Sequence, residues 1–273
     1  SDTSRDVVPG LGRTCASLAL IRIVAFTIQP SCDFASRFPL MSSPVAIEIT
    51  RLTFAYTGGD AVLSDISFSV TPGDRVAILG PSGSGKSTLL LHLNALLPDP
   101  PLSAAAAPEV AVTVDGLPAT ANNANQIRRR VGFLFQNPED QLFGSTVARD
   151  VAFGPLNLGL DSKEVQQRVE QALDDVGLSS FANRDTTRLS LGERKRACLA
   201  GVLACHPGCL VLDEPFANLD PRGRRGLTNI LTTFDGTLIL ATHDLTVVRE
   251  LTDRIVVLDT GELCADGPTQ DIL

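Results

Sequence analysis

Gly80-Pro81-Ser82-Gly83-Ser84-Gly85-Lys86-Ser87 satisfies the pattern G-x-x-x-x-G-K-[ST] at every constrained position. Its flanks restrict the fold further. Arg75-Val76-Ala77-Ile78-Leu79 reads as a short buried strand, and the run from Thr88 to Leu97 reads as a helix. In such a strand–loop–helix unit the glycines let backbone N–H groups close around phosphate oxygens, and the helix N-terminus adds positive partial charge. The sequence predicts a nucleoside triphosphate site spanning Gly80 to Thr88. Lys86 is expected to reach the β- and γ-phosphates, and Ser87 to ligate Mg2+.

The rest of the chain alternates strands and helices. Strand-like segments fall around 46–56, 66–70 and 75–79, at Glu109–Asp115 and at Val131–Phe135, then at Cys209–Leu212, Thr237–Ala241 and Ile255–Leu258. Helical spacing marks Asn125–Arg130, Thr146–Phe153, Ser162–Val176, Leu191–Ala204 and the run from Pro221 to Phe234, while Pro98 to Pro108 reads as a Pro/Ala-rich loop. This alternation predicts an α/β fold: a mostly parallel sheet with helices on both faces, antiparallel strands near the N-terminus and a helical insertion before residue 190.

Phosphate binds beyond the carboxyl ends of strands in such a sheet, so two further strand ends matter. The apolar run Cys209–Leu212 leads into Asp213, placed for the Mg2+ shell, and Glu214, placed to polarise a water attacking the γ-phosphate. Thr237–Ala241 leads through Thr242 to His243, an imidazole positioned to hydrogen-bond the γ-phosphate or orient that water. Alone, each would be ordinary structure. Behind a phosphate loop, in this order, they read as chemistry.

A net charge of −8 argues against nucleic acid as a partner, because such footprints are basic. No stretch approaches the roughly 20 apolar residues of a membrane span; the longest candidate, Leu18 to Ile28, is too short and contains Arg22. Any membrane role is therefore expected to come through a partner. The six cysteines form no C-x-x-C pair, and three lie in segments that read as buried, which predicts reduced core thiols. Residues 1–40 show no sustained periodicity and precede the chain's one methionine, Met41. They are expected to be a disordered leader or an over-extended start, with the folded domain running 41–273.

Leu189-Ser190-Leu191-Gly192-Glu193, followed by Arg194-Lys195-Arg196, resembles the signature motif of ABC transporter ATPases. The resemblance covers Met41 to Leu273 and implies the P-loop NTPase fold of that family. It comprises a mostly parallel sheet, an antiparallel β subdomain and a helical subdomain at about 138–190. It also assigns roles: Gln136 becomes the Q-loop glutamine and a metal-shell group, Tyr56 the aromatic that stacks on adenine, and Ala217-Asn218-Leu219-Asp220 the D-loop. Ser190, Gly192 and Glu193 become the residues that meet a γ-phosphate. Two positions depart from the family pattern, Leu191 in place of glycine and Glu193 in place of glutamine, and a slower composite site is expected.

LLLHLNALLP at 89–98 and QNPEDQLFGSTVARDVAFGPLNLGL at 136–160 narrow the resemblance to ATPase subunits of energy-coupling-factor importers. The implied cargo is biotin or another vitamin, or a cobalt or nickel ion, with biotin favoured by the chain's compactness. Another importer or a lipoprotein-release system is the alternative, and a soluble ABC ATPase outside transport ranks behind both. ATP with Mg2+ is implied as the nucleotide. The resemblance further implies a second ATPase subunit, identical or related, whose signature helix completes the γ-phosphate cage. It also implies an integral-membrane partner received in a groove at Pro138 to Phe153, and hence a peripheral position on the cytoplasmic face of the membrane.

Overall fold

The computed structural model describes residues 43–97 and 110–273. The expected leader at 1–40, the loop at 98–108, the start of the strand at Glu109, Cys15 and Cys32 lie outside the described residues.

Ten strands are present among the described residues: β1 Ile47–Ala55, β2 Ala61–Val70, β3 Arg75–Leu79, β4 Val112–Val114, β5 Leu117–Pro118, β6 Val131–Leu134, β7 Cys209–Asp213, β8 Thr237–Ala241, β9 Arg254–Asp259 and β10 Glu262–Pro268. The helices are α1 Lys86–Leu93, α2 Ala124–Arg130, α3 Val147–Asn157, α4 Ser162–Asp175, α5 Leu191–Leu203, α6 Pro221–Thr232, α7 Leu245–Leu251 and α8 Thr269–Ile272.

One sheet has the order β10-β9-β3-β8-β7-β6 and is parallel except for β10. Strands β7 and β8 are buried at all five positions, as expected of parallel strands covered on both faces. Their side chains divide between two layers. Val211 and Ile239 join the core shared with α1 and the second sheet, whereas Leu210, Leu212, Leu238 and Leu240 join the core of α3 to α7. The second sheet, β2-β1-β4-β5, is antiparallel.

Differences from expectation have local causes. The helix after the phosphate loop ends at Leu93 rather than Leu97. Asn94 turns its amide to donate to Val131 O at 2.5 Å, and Ala95 adopts φ +52°, which breaks the helical path. Strand β10 carries Gly and Pro and alternates half-buried with exposed, so it gave no apolar run. It pairs with β9 through Thr260-Gly261, both at positive φ, the backbone that a two-residue hairpin requires. Helix α7 is short and starts on Asp244, whose carboxylate accepts from Thr246 N at 3.0 Å.

Candidate active site

Strands β3, β8, β7 and β6 are consecutive neighbours and run in the same direction, so their carboxyl ends share one edge. The loop after β3 is Gly80–Gly85, β8 leads to His243, β7 ends at Asp213 and Glu214, and β6 leads to Gln136. Four segments distant in sequence thus meet by topology alone.

The loop depends on two glycines. A Cβ on Gly80, at φ +154°, would lie 2.1 Å from Leu258 O; one on Gly85, at φ +96°, would lie 2.9 Å from Val62 O. Only glycine allows the loop to lie this close to β9 and β2. Lys86 Nζ donates to Gly80 O and Pro81 O, both at 2.8 Å, which holds the ammonium over the loop. Pro81, Ser82 and Gly83 are exposed at the rim. Ser84 Oγ is buried without a hydrogen-bond partner.

Burial pushes the Asp213 carboxyl upward; a hydrogen bond from the Ser87 hydroxyl opposes this, Glu214 adds to it and Lys86 again opposes. Glu214 follows at φ +44°, a left-handed backbone uncommon for a residue with a side chain. Its Oε1 lies 2.9 Å from His243 Nδ1, and its Oε2 is buried without a partner. Gln136 is exposed at the same edge. Tyr56 lies beyond β1, and its hydroxyl is 3.2 Å from Thr88 Oγ1 at the start of α1. The Tyr56 ring packs in a T-shaped arrangement with Phe54, centroids 5.0 Å apart, and the residue is nearly half exposed.

The structure holds a second group of expected residues on separate elements. Ser190 caps α5 in a reciprocal box: Glu193 N donates to Ser190 Oγ, while Glu193 Oε2 accepts from Ser190 N at 2.7 Å and Ser190 Oγ at 2.8 Å. The Ser190 N–H, then the Ser190 hydroxyl, hold the Glu193 carboxyl below the ordinary glutamate range. A Cβ on Gly192 would meet only Leu219 Cδ2, at an ordinary 3.7 Å, so its own protomer does not require glycine there. Asp220 caps α6, accepting from Gly223 N at 2.8 Å.

Sequence patterns missed the residues that join these parts. Gln141 Oε1 accepts from Phe135 N at 3.2 Å and its Nε2 donates to Cys198 O at 3.2 Å, which ties the end of β6 to α5. Asp150 accepts from Phe143 N and Gly144 N at 2.9 and 2.7 Å. Burial raises the Asp150 carboxyl, and those two N–H groups act against the rise. Lys195 is buried beneath the turn after β7. Only the position of Gln141 shortly after Gln136 could have drawn attention to it.

A family model described as "ABC transporter" matches residues 63–217. This chain belongs to the ABC transporter family. The energy-coupling factor transporter ATP-binding protein EcfA of Carboxydothermus hydrogenoformans is 46% identical over 226 residues, covering 82% of this chain and 81% of that protein. The solved cbiO1 of Clostridium perfringens, described as part of the ABC transporter complex cbiONQ, superimposes with a TM-score of 0.72 at 32% identity, over 83% of this chain and 89% of its own. A dimeric ATP-binding cassette solved in a post-hydrolysis state with ADP and Pi aligns with a TM-score of 0.71 at 25% identity, over 82% of this chain and 98% of its own. The fold is the ABC ATPase fold, and the chain is an ATPase of that family. No helix among the described residues is long and apolar enough to cross a membrane.

Proposed function

We propose that this chain is the ATP-hydrolysing subunit of an energy-coupling-factor importer, acting in pairs beneath a membrane subunit and powering uptake of a micronutrient, a vitamin or a cobalt or nickel ion. The observation that carries the reading is the meeting of the phosphate loop, Asp213, Glu214 and His243 at one sheet edge, in a chain 46% identical to an energy-coupling factor ATP-binding protein.

At that edge Gly80 to Thr88 wraps the phosphates and Lys86 leaves its carbonyls to meet the β/γ oxygens, while Tyr56 supports adenine. Ser87, Gln136 and Asp213 would hold Mg2+; the hydrogen-bonded Ser87 hydroxyl and Asp213 carboxylate are the hard oxygen donors such an ion prefers. Bound there, Mg2+ neutralises charge on the β- and γ-phosphates. Glu214 accepts a proton from the attacking water at its buried, partnerless Oε2, while His243 fixes Oε1.

The open far side of the γ-phosphate is closed by Ser190 and Gly192 of a second copy or related subunit, with Glu193 and Asp220 at the same junction. The spare room beside Gly192 supports this, since the demand for glycine has no source within the protomer. Residues 138–190 form the helical subdomain that receives the membrane subunit, with exposed Phe143 and Leu156 supplying apolar contact. That seat would place the chain peripherally on the cytoplasmic face.

The test is co-expression with candidate membrane subunits, followed by purification and uptake assays with biotin, cobalt and nickel. Co-purification with an integral-membrane subunit and ATP-dependent uptake of one cargo is expected. A catalytically active cassette that couples only to a lipoprotein-release system would overturn the importer reading.

A further inference from the structure

Lys195 lies in the second turn of α5, close after the Ser190 cap, yet it is only 4% exposed. Among the described residues its ammonium has no carboxylate within ion-pair distance, although the Glu214 carboxylate attracts it through space. Nζ donates to three backbone carbonyls of one turn: Glu214 O at 3.2 Å, Pro215 O at 3.0 Å and Ala217 O at 2.9 Å. Three acceptors use all three donors of an ammonium. The turn they belong to is the one that aims Glu214.

That turn has an unusual backbone. Glu214 at φ +44° and Asn218 at φ +61° are both left-handed without being glycine. Conformations of this kind persist where the surroundings over-determine them, and they gather at functional sites. Glu214 N is fixed by donation to Ala241 O at 2.9 Å, and Ala217 N by donation to Glu214 O at 3.1 Å. The carbonyls of Pro215 and Ala217 look instead to Lys195. A buried cation facing three carbonyls is an expensive arrangement to keep for packing alone, because an apolar side chain of the same length would fill the volume.

We propose that Lys195 is a positioning residue for hydrolysis: it locks the left-handed turn so that the Glu214 carboxylate stays on His243 with its second oxygen free for the attacking water. The proposal rests on the reading of Glu214 as the group that accepts the water's proton. Lys195 acts through Glu214, by its bonds to the carbonyls of the turn and by the attraction between its charge and the Glu214 carboxylate.

The test uses the full chain in its purified transporter complex, with four forms: wild type, Lys195→Met, Glu214→Gln and the double variant. Lys195→Met should lower kcat for ATP hydrolysis by about 10- to 100-fold, the scale of an ångström-level misplacement of a catalytic group. ATP affinity should stay within about threefold, because the phosphate loop is built on other strands. In the Glu214→Gln background, Lys195→Met should produce no further loss, since two changes acting through one group do not multiply. Lys195→Arg, which keeps a buried cation with several donors, should recover part of kcat and guards against a Met variant that fails to fold.

Independent, multiplying losses in the double variant would overturn the proposal, as would an unchanged kcat or a parallel fall of kcat and ATP affinity. If Glu214→Gln alone leaves kcat intact, the catalytic role of Glu214 falls first, and that outcome is distinguishable from a failure of Lys195 to position it.

Discussion

His243 Nδ1 lies 2.9 Å from Glu214 Oε1, joining the ends of β8 and β7 across adjacent strands, and the two side chains differ sharply in exposure: 76% for the imidazole and 13% for the carboxylate. The exposed ring is the movable member of the pair. With Nδ1–H donating, the carboxylate keeps one oxygen engaged and the other, buried and without a partner, as the free acceptor. Glu214→Gln preserves shape and the contact to His243 but removes the basic oxygen. Hydrolysis should fall by about 10²- to 10⁴-fold, the usual worth of a general base, while ATP binding and ATP-dependent pairing survive. Phosphate release measured beside nucleotide binding checks both halves.

Lys86→Ala should act on binding. The ammonium is held on Gly80 O and Pro81 O, and in the proposed reading it exchanges these two carbonyls for phosphate oxygens. Its loss removes the one cation of the loop and leaves the backbone N–H groups to hold a multiply charged anion. Calorimetric titration should show ATP affinity weakened to beyond detection, with the melting temperature of the nucleotide-free protein little changed. Unchanged affinity would contradict the loop's assignment.

Much of this edge was legible in the sequence because phosphate chemistry uses short contiguous motifs. The loop, Asp213, Glu214 and His243 each sit where an apolar run stops, and buried parallel strands produce such runs. What escaped the sequence is what depends on the approach of distant segments. Lys195 reads as one basic residue among Arg194 and Arg196, and nothing local distinguishes it from them; only the turn after β7, packed against α5, makes it a buried cation. Strand β10 escaped because an edge strand half open to solvent needs no apolar alternation. The early end of α1 escaped because Asn94 finds its partner on β6, 37 residues later.

The capping box of α5 has a pH consequence. Hydrogen bonds from Ser190 hold the Glu193 carboxyl below its unfolded value, with weaker help from Arg184 and Arg196. A depressed carboxylate contributes stability that is complete above the unfolded value of about 4.3 and disappears as pH falls through the folded value. Glu193→Gln should therefore be less stable than wild type near neutral pH by about 1 kcal/mol at most, given solvent screening and the usual size of a cap. The gap should close as pH drops below about 4. Paired denaturant titrations across that range measure it.

Thiol reactivity should rank by burial. Burial pushes the Cys198 and Cys209 thiols far above the ordinary cysteine range, and raises Cys205 to about 11. Cys264 is exposed on β10. Since the thiolate is the reactive form, iodoacetamide at pH 8 should modify Cys264 first among these four, as mapped by peptide mass spectrometry. Modification of Cys198 or Cys209 should wait for unfolding.

Leu191 stands immediately after the Ser190 cap, 39% exposed, where the family pattern has glycine. Burying its isobutyl group at the proposed junction between subunits would stabilise their association. In the proposed pairing, the same bulk stands where a neighbour's phosphate would approach the Ser190 and Gly192 backbone. These effects oppose each other in a measurable way. Leu191→Gly should raise ATP turnover of the assembled complex severalfold by letting the cage close further, and should weaken α5 by about 0.5–1 kcal/mol, the helix cost of glycine. Steady-state turnover and melting of the same preparation separate them. Faster turnover with a lower melting temperature supports steric obstruction at Leu191; unchanged turnover would mean the cage closes around the leucine without penalty.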